Sequence, residues 1–217
     1  MPLLYATLGL VTLLVAGSLW WRSASRHRQL PCPSFLAWLL LDNRLADIVG
    51  STQTTLDRIG PEPGERLLDV GCGTGRLSRR AAQRVGPTGT VVAFDIQRGM
   101  LAGLEGRAAR MGVTNIVTWL GDIASDQTLP SNSFDRAWLV TVLGELPDRE
   151  AALGNLFRVI KPGGTLSITE TMRDPHYQRR RTVLQLSSEA GFVATQYWGS
   201  PWEFTQNFMK PPAATIR

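Results

Sequence analysis

Apolar and polar positions divide the chain into three regions. Residues 2–21, PLLYATLGLVTLLVAGSLWW, contain no charged side chain. As a helix rising 1.5 Å per residue, this stretch reaches about 30 Å, the thickness of a bilayer's hydrocarbon core. Trp20 and Trp21 stand at its end, and Arg22, Arg26, His27 and Arg28 follow. Aromatic rings favour the headgroup layer and basic residues favour the cytoplasmic side. The pattern therefore predicts a single-pass membrane anchor over residues 2–21, with the N-terminus outside and the rest of the chain on the cytoplasmic face. A cleaved secretory leader carries its positive charge ahead of a shorter apolar stretch; here the order is reversed. Residues 22–43 form a basic and then amphipathic segment. Pro31 and Pro33 interrupt any continuing helix. Beyond them Phe35, Trp38, Leu39, Leu41 and Leu45 recur near helical spacing, broken by Asp42, Asn43, Arg44 and Asp47. That stretch is too short to span a membrane, and it reads equally as a helix on the membrane surface, over a pocket, or in a core.

Residues 44–217 read as one α/β domain. A turn cluster at residues 60–65 precedes an apolar run at residues 66–70, and further short runs follow at 90–95, 116–120, 134–140, 165–170, 192–198 and 203–209. Most of them alternate with amphipathic stretches. This order predicts a Rossmann-like, seven-stranded, mostly parallel sheet with helices on both faces. Only residues 199–202 separate the last two runs, too few for a parallel crossover, so an antiparallel hairpin is expected at one edge.

Composition narrows the function classes. Hydrophobic residues make up 43% and charged residues 19% of the 217, which fits a packed domain rather than a disordered chain. The two cysteines, Cys32 and Cys72, are too few for a disulfide framework or a four-thiolate zinc site, so no metal is expected. The formal charge of +5 is concentrated at Arg22, Arg26 and Arg28, which argues against nucleic acid as a partner. The sequence sets no oligomeric state.

The chemistry concentrates at Leu67-Leu68-Asp69-Val70-Gly71-Cys72-Gly73-Thr74-Gly75-Arg76, a strand running into a glycine turn and then a helix. Gly71, Gly73 and Gly75 permit positive φ and let a ligand approach the main chain. A dinucleotide fingerprint would place a third glycine at position 76, which is arginine, so the nicotinamide reading loses its geometry. Asp69 would repel a pyrophosphate and attract a cation such as an α-ammonium group. Asp95 ends the second strand, where a carboxylate accepts from both ribose hydroxyls. Asp122 follows the third strand and can accept from an exocyclic amine, while Ile96 and Ile123 could sandwich a flat base. All three acids are expected along the carboxyl edge of the sheet.

In these segments the chain resembles the class I S-adenosylmethionine-dependent methyltransferases over roughly residues 60 to 210. The resemblance rests on LLDVGCGTG, the strand end at Asp95, Gly121-Asp122, Phe134-Asp135 and LFRVIKPGGTL at residues 156–166. It is closest in look to the ubiquinone/menaquinone C-methyltransferase and phospholipid N-methyltransferase groups. It implies S-adenosyl-L-methionine as cofactor. Asp69 with the loop Gly71, Cys72, Gly73 and Gly75 would hold its amino acid portion, Asp95 the ribose, and Asp122 with Ile123 the adenine; Ile96 and Val140 complete the expected cofactor-binding residues. A membrane-tethered protein that binds the cofactor without catalysis, and a nicotinamide-dependent oxidoreductase, are the alternatives.

Methyl transfer is an in-line displacement, so most of the protein's work is alignment and exclusion of water. A carbon or phenol acceptor also gains from a group that removes its proton. Glu145 after the fourth strand, and His176 and Tyr177 after the fifth, are the candidate catalytic residues. His176 is the best base of the three. Arg179, Arg180 and Arg181 form a solvated face or contact anionic headgroups or a substrate phosphate. The expected anchor points to a lipid or other lipophilic small molecule as acceptor, because fixing the domain at the surface raises its encounter rate with a membrane-confined substrate.

Overall fold

A computed structural model of the protein describes residues 52–212. The anchor expected at residues 2–21 and the basic, amphipathic segment at 22–43 lie outside the described residues. Among the described residues, no helix is long and apolar enough to cross a membrane.

The described chain begins with α1 (Thr52–Ile59), β1 (Arg66–Val70), α2 (Arg76–Val85), β2 (Thr90–Asp95), α3 (Arg98–Arg110), β3 (Ile116–Leu120) and β4 (Phe134–Val140). A 3-10 turn at Leu143–Glu145 leads into α4 (Arg149–Val159), β5 (Ile160–Thr171), α5 (Arg180–Glu189), β6 (Val193–Ser200) and β7 (Glu203–Met209). The strands form one seven-stranded sheet in the order β3-β2-β1-β4-β5-β7-β6. β1 to β5 pair in parallel, while β7 is antiparallel to both β5 and β6. The expected terminal hairpin is present, with β7 inserted beside β5 and β6 left at the edge. Because the chain moves outward from β1 to β3 and then reverses from β4, the crevice lies between the carboxyl ends of β1 and β4.

Alternation along the strands decides which helix each side chain meets. On one face Leu67, Val91 and Trp138 pack under Leu56 and Ile59 of α1 and Leu77, Ala81 and Val85 of α2. Ala93 on that face meets Leu101, Leu104 and Ala108 of α3. On the other face Leu68, Val92, Leu139, Leu166 and Ile168 pack against Leu153, Leu156 and Val159 of α4 and Val183 of α5. A parallel strand buried on both faces has to be apolar almost throughout, as β1 and β2 are, and five of the runs, at 66–70, 90–95, 116–120, 134–140 and 203–209, match strand boundaries to the residue.

Two strands differ from the expected bounds. β5 begins at Ile160 rather than 165, directly at the end of α4, because Pro162-Gly163-Gly164 is absorbed as an irregularity in its pairing with β4. Gly163 takes a φ of 81° and its N–H donates to the Lys210 carbonyl at 2.8 Å. β6 starts at Val193 rather than 192 and runs to Ser200. Phe192 is instead drawn into the core, edge-on to the Phe157 ring at 5.1 Å.

The amino edge of the parallel strands is closed by charge pairs. Arg136 Nε donates to Glu65 Oε2 at 2.8 Å, and Asp135 accepts from Lys161 Nζ at 2.6 Å and from the Arg66 N–H at 2.8 Å. Just past β7, Lys210 Nζ donates to Asn132 Oδ1, the Phe157 carbonyl and the Ile160 carbonyl at 2.7, 2.6 and 2.8 Å. Lys210→Met removes the donor from three acceptors at once, and an urea melt should show a loss of about 2–4 kcal/mol. A change under 0.5 kcal/mol, the scale of an ordinary surface substitution, would mean this ammonium does not hold the chain end.

Candidate functional site

β1 ends in a turn built from left-handed glycines: φ is 68° at Gly71, 53° at Gly73 and 79° at Gly75. Two of them also face tight packing. A Cβ on Gly71 would stand 2.5 Å from Val142 Cγ2, and one on Gly75 would stand 2.4 Å from Leu104 Cδ1. Gly73 differs, because a Cβ there would meet nothing within 4 Å; its backbone faces open space. The N–H groups of Gly71 and Cys72 donate to the Phe94 carbonyl at 2.8 and 3.1 Å, and Gly73 N–H donates to Asp95 Oδ2 at 2.9 Å. The turn after β1 is thereby fastened to the end of β2.

Asp95 accepts from the Gln97 N–H at 2.8 Å through its other oxygen, Oδ1. Burial raises its carboxyl above the ordinary range, against these backbone donors. Beside it Ile96 is 62% exposed, an apolar side chain presented to solvent at the crevice. Gly73, Asp95 and Ile96 together offer an open main chain, a carboxylate with lone pairs to spare, and an apolar surface. This fits a nucleoside carrying an amino acid tail. Asp122 stands beyond β3 in the same edge, where Oδ1 accepts from the Ala124 N–H at 3.0 Å and Oδ2 from Ser125 Oγ at 3.3 Å. Val140, half-buried at the tip of β4, packs on the cluster around Trp138.

Three of the expected cofactor residues have side chains that the fold buries. Asp69 is buried beneath the turn, where Ser78 Oγ of α2 donates to its Oδ2 at 2.5 Å. Burial pushes its carboxyl up to about 7, opposed by Ser78 and the Trp138 indole. It braces the turn from below, because its strand face is the one that α2 covers. The Cys72 side chain points under α3 into the cluster with Leu101 and Leu104; burial raises its thiol further, and only its backbone belongs to the turn. Ile123 is 2% exposed inside the core, so of the two isoleucines Ile96 alone presents a free face.

A second concavity, a cleft of about 270 Å³, opens next to this edge. Its lining includes Gly144, Arg149, Met172, Asp174, His176 and Tyr177. The loop after β5 folds back so that His176 Nδ1 lies 3.7 Å from Asp174 Oδ1 and 3.8 Å from Glu145 Oε1. The His176 N–H also donates to Asp174 Oδ1 at 2.7 Å. Burial pushes the Glu145 carboxyl up to about 7, and the charges of Asp174 and Asp95 add to that. The candidate base and the cofactor edge therefore share one electrostatic neighbourhood. The loops after β4 and β5 are in close contact: a Cβ at Gly144 would fall 1.8 Å from the His176 carbonyl oxygen. Arg149 adds to this packing by donating from Nε to the Leu143 carbonyl at 3.0 Å.

Tyr177 has a different role from the one expected. Its hydroxyl donates to the Pro201 carbonyl at 2.5 Å, and its ring packs edge-on to Phe204. It ties the cleft to the β6–β7 hairpin rather than offering a phenol for chemistry, and burial raises its pKa above the ordinary value.

Two residues escaped the sequence reading. Glu170, at the end of β5, is 1% exposed. Its Oε2 accepts from the Gln178 N–H at 3.0 Å, and Gln178 Nε2 donates to the His176 carbonyl at 2.7 Å. Burial pushes its carboxyl up to about 8. The signal was a glutamate at the end of an otherwise core-forming strand. Thr141, directly after β4, has a φ of 58°, a strained conformation for a β-branched residue. It is held there by its N–H donating to the Thr169 carbonyl at 2.8 Å. Nothing in a sequence marks such a dihedral.

Asp69, Glu145 and Glu170 all bind protons more tightly folded than unfolded. Their contribution to stability is therefore fully present below the ordinary carboxylate values of 3.8 and 4.5 and is lost progressively as pH rises from there through about 7 and 8. The melting temperature should fall between pH 5.5 and 8.5, a range set by those values, and Glu170→Gln should flatten the fall. An identical slope in that variant would show that Glu170 is not held neutral by the fold.

A family model described as a methyltransferase domain matches residues 61–199. Nocamycin O-methyltransferase of Saccharothrix syringae is 38% identical over 120 residues, covering 55% of this chain and 42% of that protein. A ubiquinone/menaquinone biosynthesis C-methyltransferase of Ectopseudomonas mendocina is 39% identical over 116 residues, covering 54% and 45%. The chain thus spans less than half the length of these two relatives. Among solved structures, a SAM-dependent methyltransferase from Aquifex aeolicus aligns with a TM-score of 0.76 at 21% identity, covering 83% of this chain and all of that one. Phosphoethanolamine N-methyltransferase 2 of Haemonchus contortus, in complex with phosphomonomethylethanolamine and S-adenosylhomocysteine, aligns at 0.68 and 16% identity, covering 83% and 57%. With the family match spanning well over half its residues, the chain belongs to the methyltransferase-domain family.

Proposed function

We propose that the protein transfers a methyl group from S-adenosyl-L-methionine to the oxygen or carbon of a lipophilic small molecule that loses a proton as it is methylated. The observation that carries this reading is His176, set between the carboxyl groups of Asp174 and Glu145 in a cleft beside the Asp95 edge. When bound, the cofactor supplies an electrophilic methyl on a sulfonium. Gly73 and Asp95 would hold its amino acid and ribose portions, Ile96 would cover the base, and Asp122 would stand near the exocyclic amine. The chemistry the cofactor would supply is methyl donation to the acceptor atom, with the S–CH₃ electron pair left on sulfur. The acceptor's proton passes to His176.

Asp174 and Glu145 favour the tautomer with the proton on Nδ1, leaving Nε2 with a lone pair for that proton. Glu145, with its raised pKa, can accept a share of the proton without adding a full permanent charge beside Asp95. A neutral amine would need no such arrangement. The oxygen- and carbon-methylating relatives support this class of acceptor, and the second of them, named for quinone biosynthesis, supports a quinone-related one. The apolar segment at residues 2–21, with tryptophans and arginines after it, supports a membrane-held chain whose domain faces the cytoplasm.

Calorimetry with S-adenosyl-L-methionine should show binding weakened by about 100-fold in Asp95→Ala, the loss of two charge-assisted hydrogen bonds. His176→Ala should bind the cofactor as the parent does and lower kcat by about 10²- to 10⁴-fold. The acceptor itself should be found by comparing lipid extracts of cells with and without the protein for species heavier by one methylene. Full turnover in His176→Ala would remove the proton-transfer reading. Methylated products confined to the water-soluble fraction would remove the lipophilic acceptor.

A further inference from the structure

We infer that the mouth of the acceptor cleft is itself a bilayer-docking rim, in which Trp202 and Met172 enter the interface of an anionic membrane and Arg173, Arg179 and Arg181 meet its headgroups. The purpose of such a rim rests on the membrane-confined acceptor proposed above. Its existence does not, since docking is measured without turnover.

The apolar part of the rim is unusual for a surface. Trp202 is 64% exposed at the tip of the β6–β7 hairpin and Met172 is 44% exposed where the chain leaves β5. A single exposed apolar residue needs no explanation. These two are neighbours by construction, because the Met172 N–H donates to the Trp202 carbonyl at 2.8 Å. The adjoining Pro201 carbonyl accepts from the hydroxyl of Tyr177. Met172 and Tyr177 both line the cleft. The hairpin tip and the cleft mouth are thus one stitched unit, and whatever covers Trp202 also covers the entrance.

Basic side chains stand on the segments that carry this pair and the cleft: Arg173 follows Met172, and Arg179 and Arg181 follow Tyr177, all three exposed. The nearby acids are less exposed: Asp174 Oδ1 accepts from the His176 N–H, and Glu203 is half-buried at the start of β7. Arg180 bonds Gln206 Oε1 at 2.9 Å and stacks on the Tyr197 ring, 4.2 Å from its guanidinium carbon. An indole and a thioether with exposed arginines on the adjoining segments complement an interface of acyl chains beneath anionic headgroups. A protein partner would not need the basic residues.

A rim also answers a geometric need. Between the segment at residues 2–21 and the first described helix at Thr52 lie thirty residues. A membrane segment at residues 2–21 does not by itself name the face of the domain that turns toward the bilayer. The cleft-mouth rim supplies the orientation that lets a lipophilic acceptor enter without crossing water.

The test uses the full chain mixed with vesicles whose acyl chains are brominated, made from phosphatidylcholine with or without phosphatidylglycerol, and reads quenching of tryptophan fluorescence. Trp202→Phe keeps an apolar side chain and removes one emitter. It should lose a quenched component that the parent shows with phosphatidylglycerol present, whereas Trp119→Phe, in β3 near the opposite edge of the sheet, should lose none. Arg179→Glu combined with Arg181→Glu should abolish the same component while leaving cofactor binding unchanged. Quenching that is the same in Trp202→Phe as in the parent would overturn the proposal. So would a concentration-dependent blue shift of the Trp202 emission without lipid, which would assign the rim to a second copy of the chain. If the rim docks and no lipophilic product is ever found, the acceptor reading fails alone.

Discussion

The turn after β1 is held by main-chain donors that all point at the end of β2. Gly71 and Cys72 bond the Phe94 carbonyl, and Gly73 bonds the Asp95 carboxylate. This requires three left-handed residues in five positions, each without a side chain, and it leaves one of them, Gly73, facing open space. Beneath it Asp69 and Ser78 fix the height of the turn above α2. The crevice exists because backbone groups that would otherwise continue β1 are satisfied sideways by the neighbouring strand. Everything described at the carboxyl edge, from Asp95 to the cleft beyond β4, is positioned relative to that turn.

The two ends of the parallel strands are treated in opposite ways. At the amino edge each carboxylate has a cation: Glu65 has Arg136, and Asp135 has Lys161. There the hydrogen bonds of Lys161 and the Arg66 N–H hold Asp135 below the ordinary carboxylate range, against some burial. At the carboxyl edge Asp69, Asp95, Glu145 and Glu170 have no cation bonded to them in the same way, and burial raises all four. The amino edge is stapled by ion pairs, and the edge with the crevice keeps carboxyl groups held above their ordinary range. Such an imbalance is characteristic of functional sites.

Much of the fold was legible because a parallel strand covered on both faces has to be apolar nearly throughout, and runs such as Arg66–Val70 and Thr90–Asp95 stand out against their surroundings. β5 was read short because Pro162-Gly163-Gly164 resembles a turn, whereas the pairing absorbs it as an irregularity. The position of the glycine turn and of Asp95 at the end of β2 was legible from spacing. Burial was not: Asp69, Cys72 and Ile123 belong to the motif by spacing, and the fold covers their side chains. A one-dimensional pattern records spacing and not which helix lies over it. Glu170 and Thr141 were missed for the same reason, since their importance comes from a hydrogen-bonded loop and a dihedral that arise only when distant strands meet.

Gly144 leaves no room between the loops that follow β4 and β5, because any side chain there would collide with the backbone at His176. The cleft beyond β4 is consequently a shared seam rather than two independent walls. Redirecting this scaffold toward a different methyl recipient would therefore call for transplanting both segments together, as a matched pair from a single donor. Grafting either one alone would trade a new preference for a broken joint.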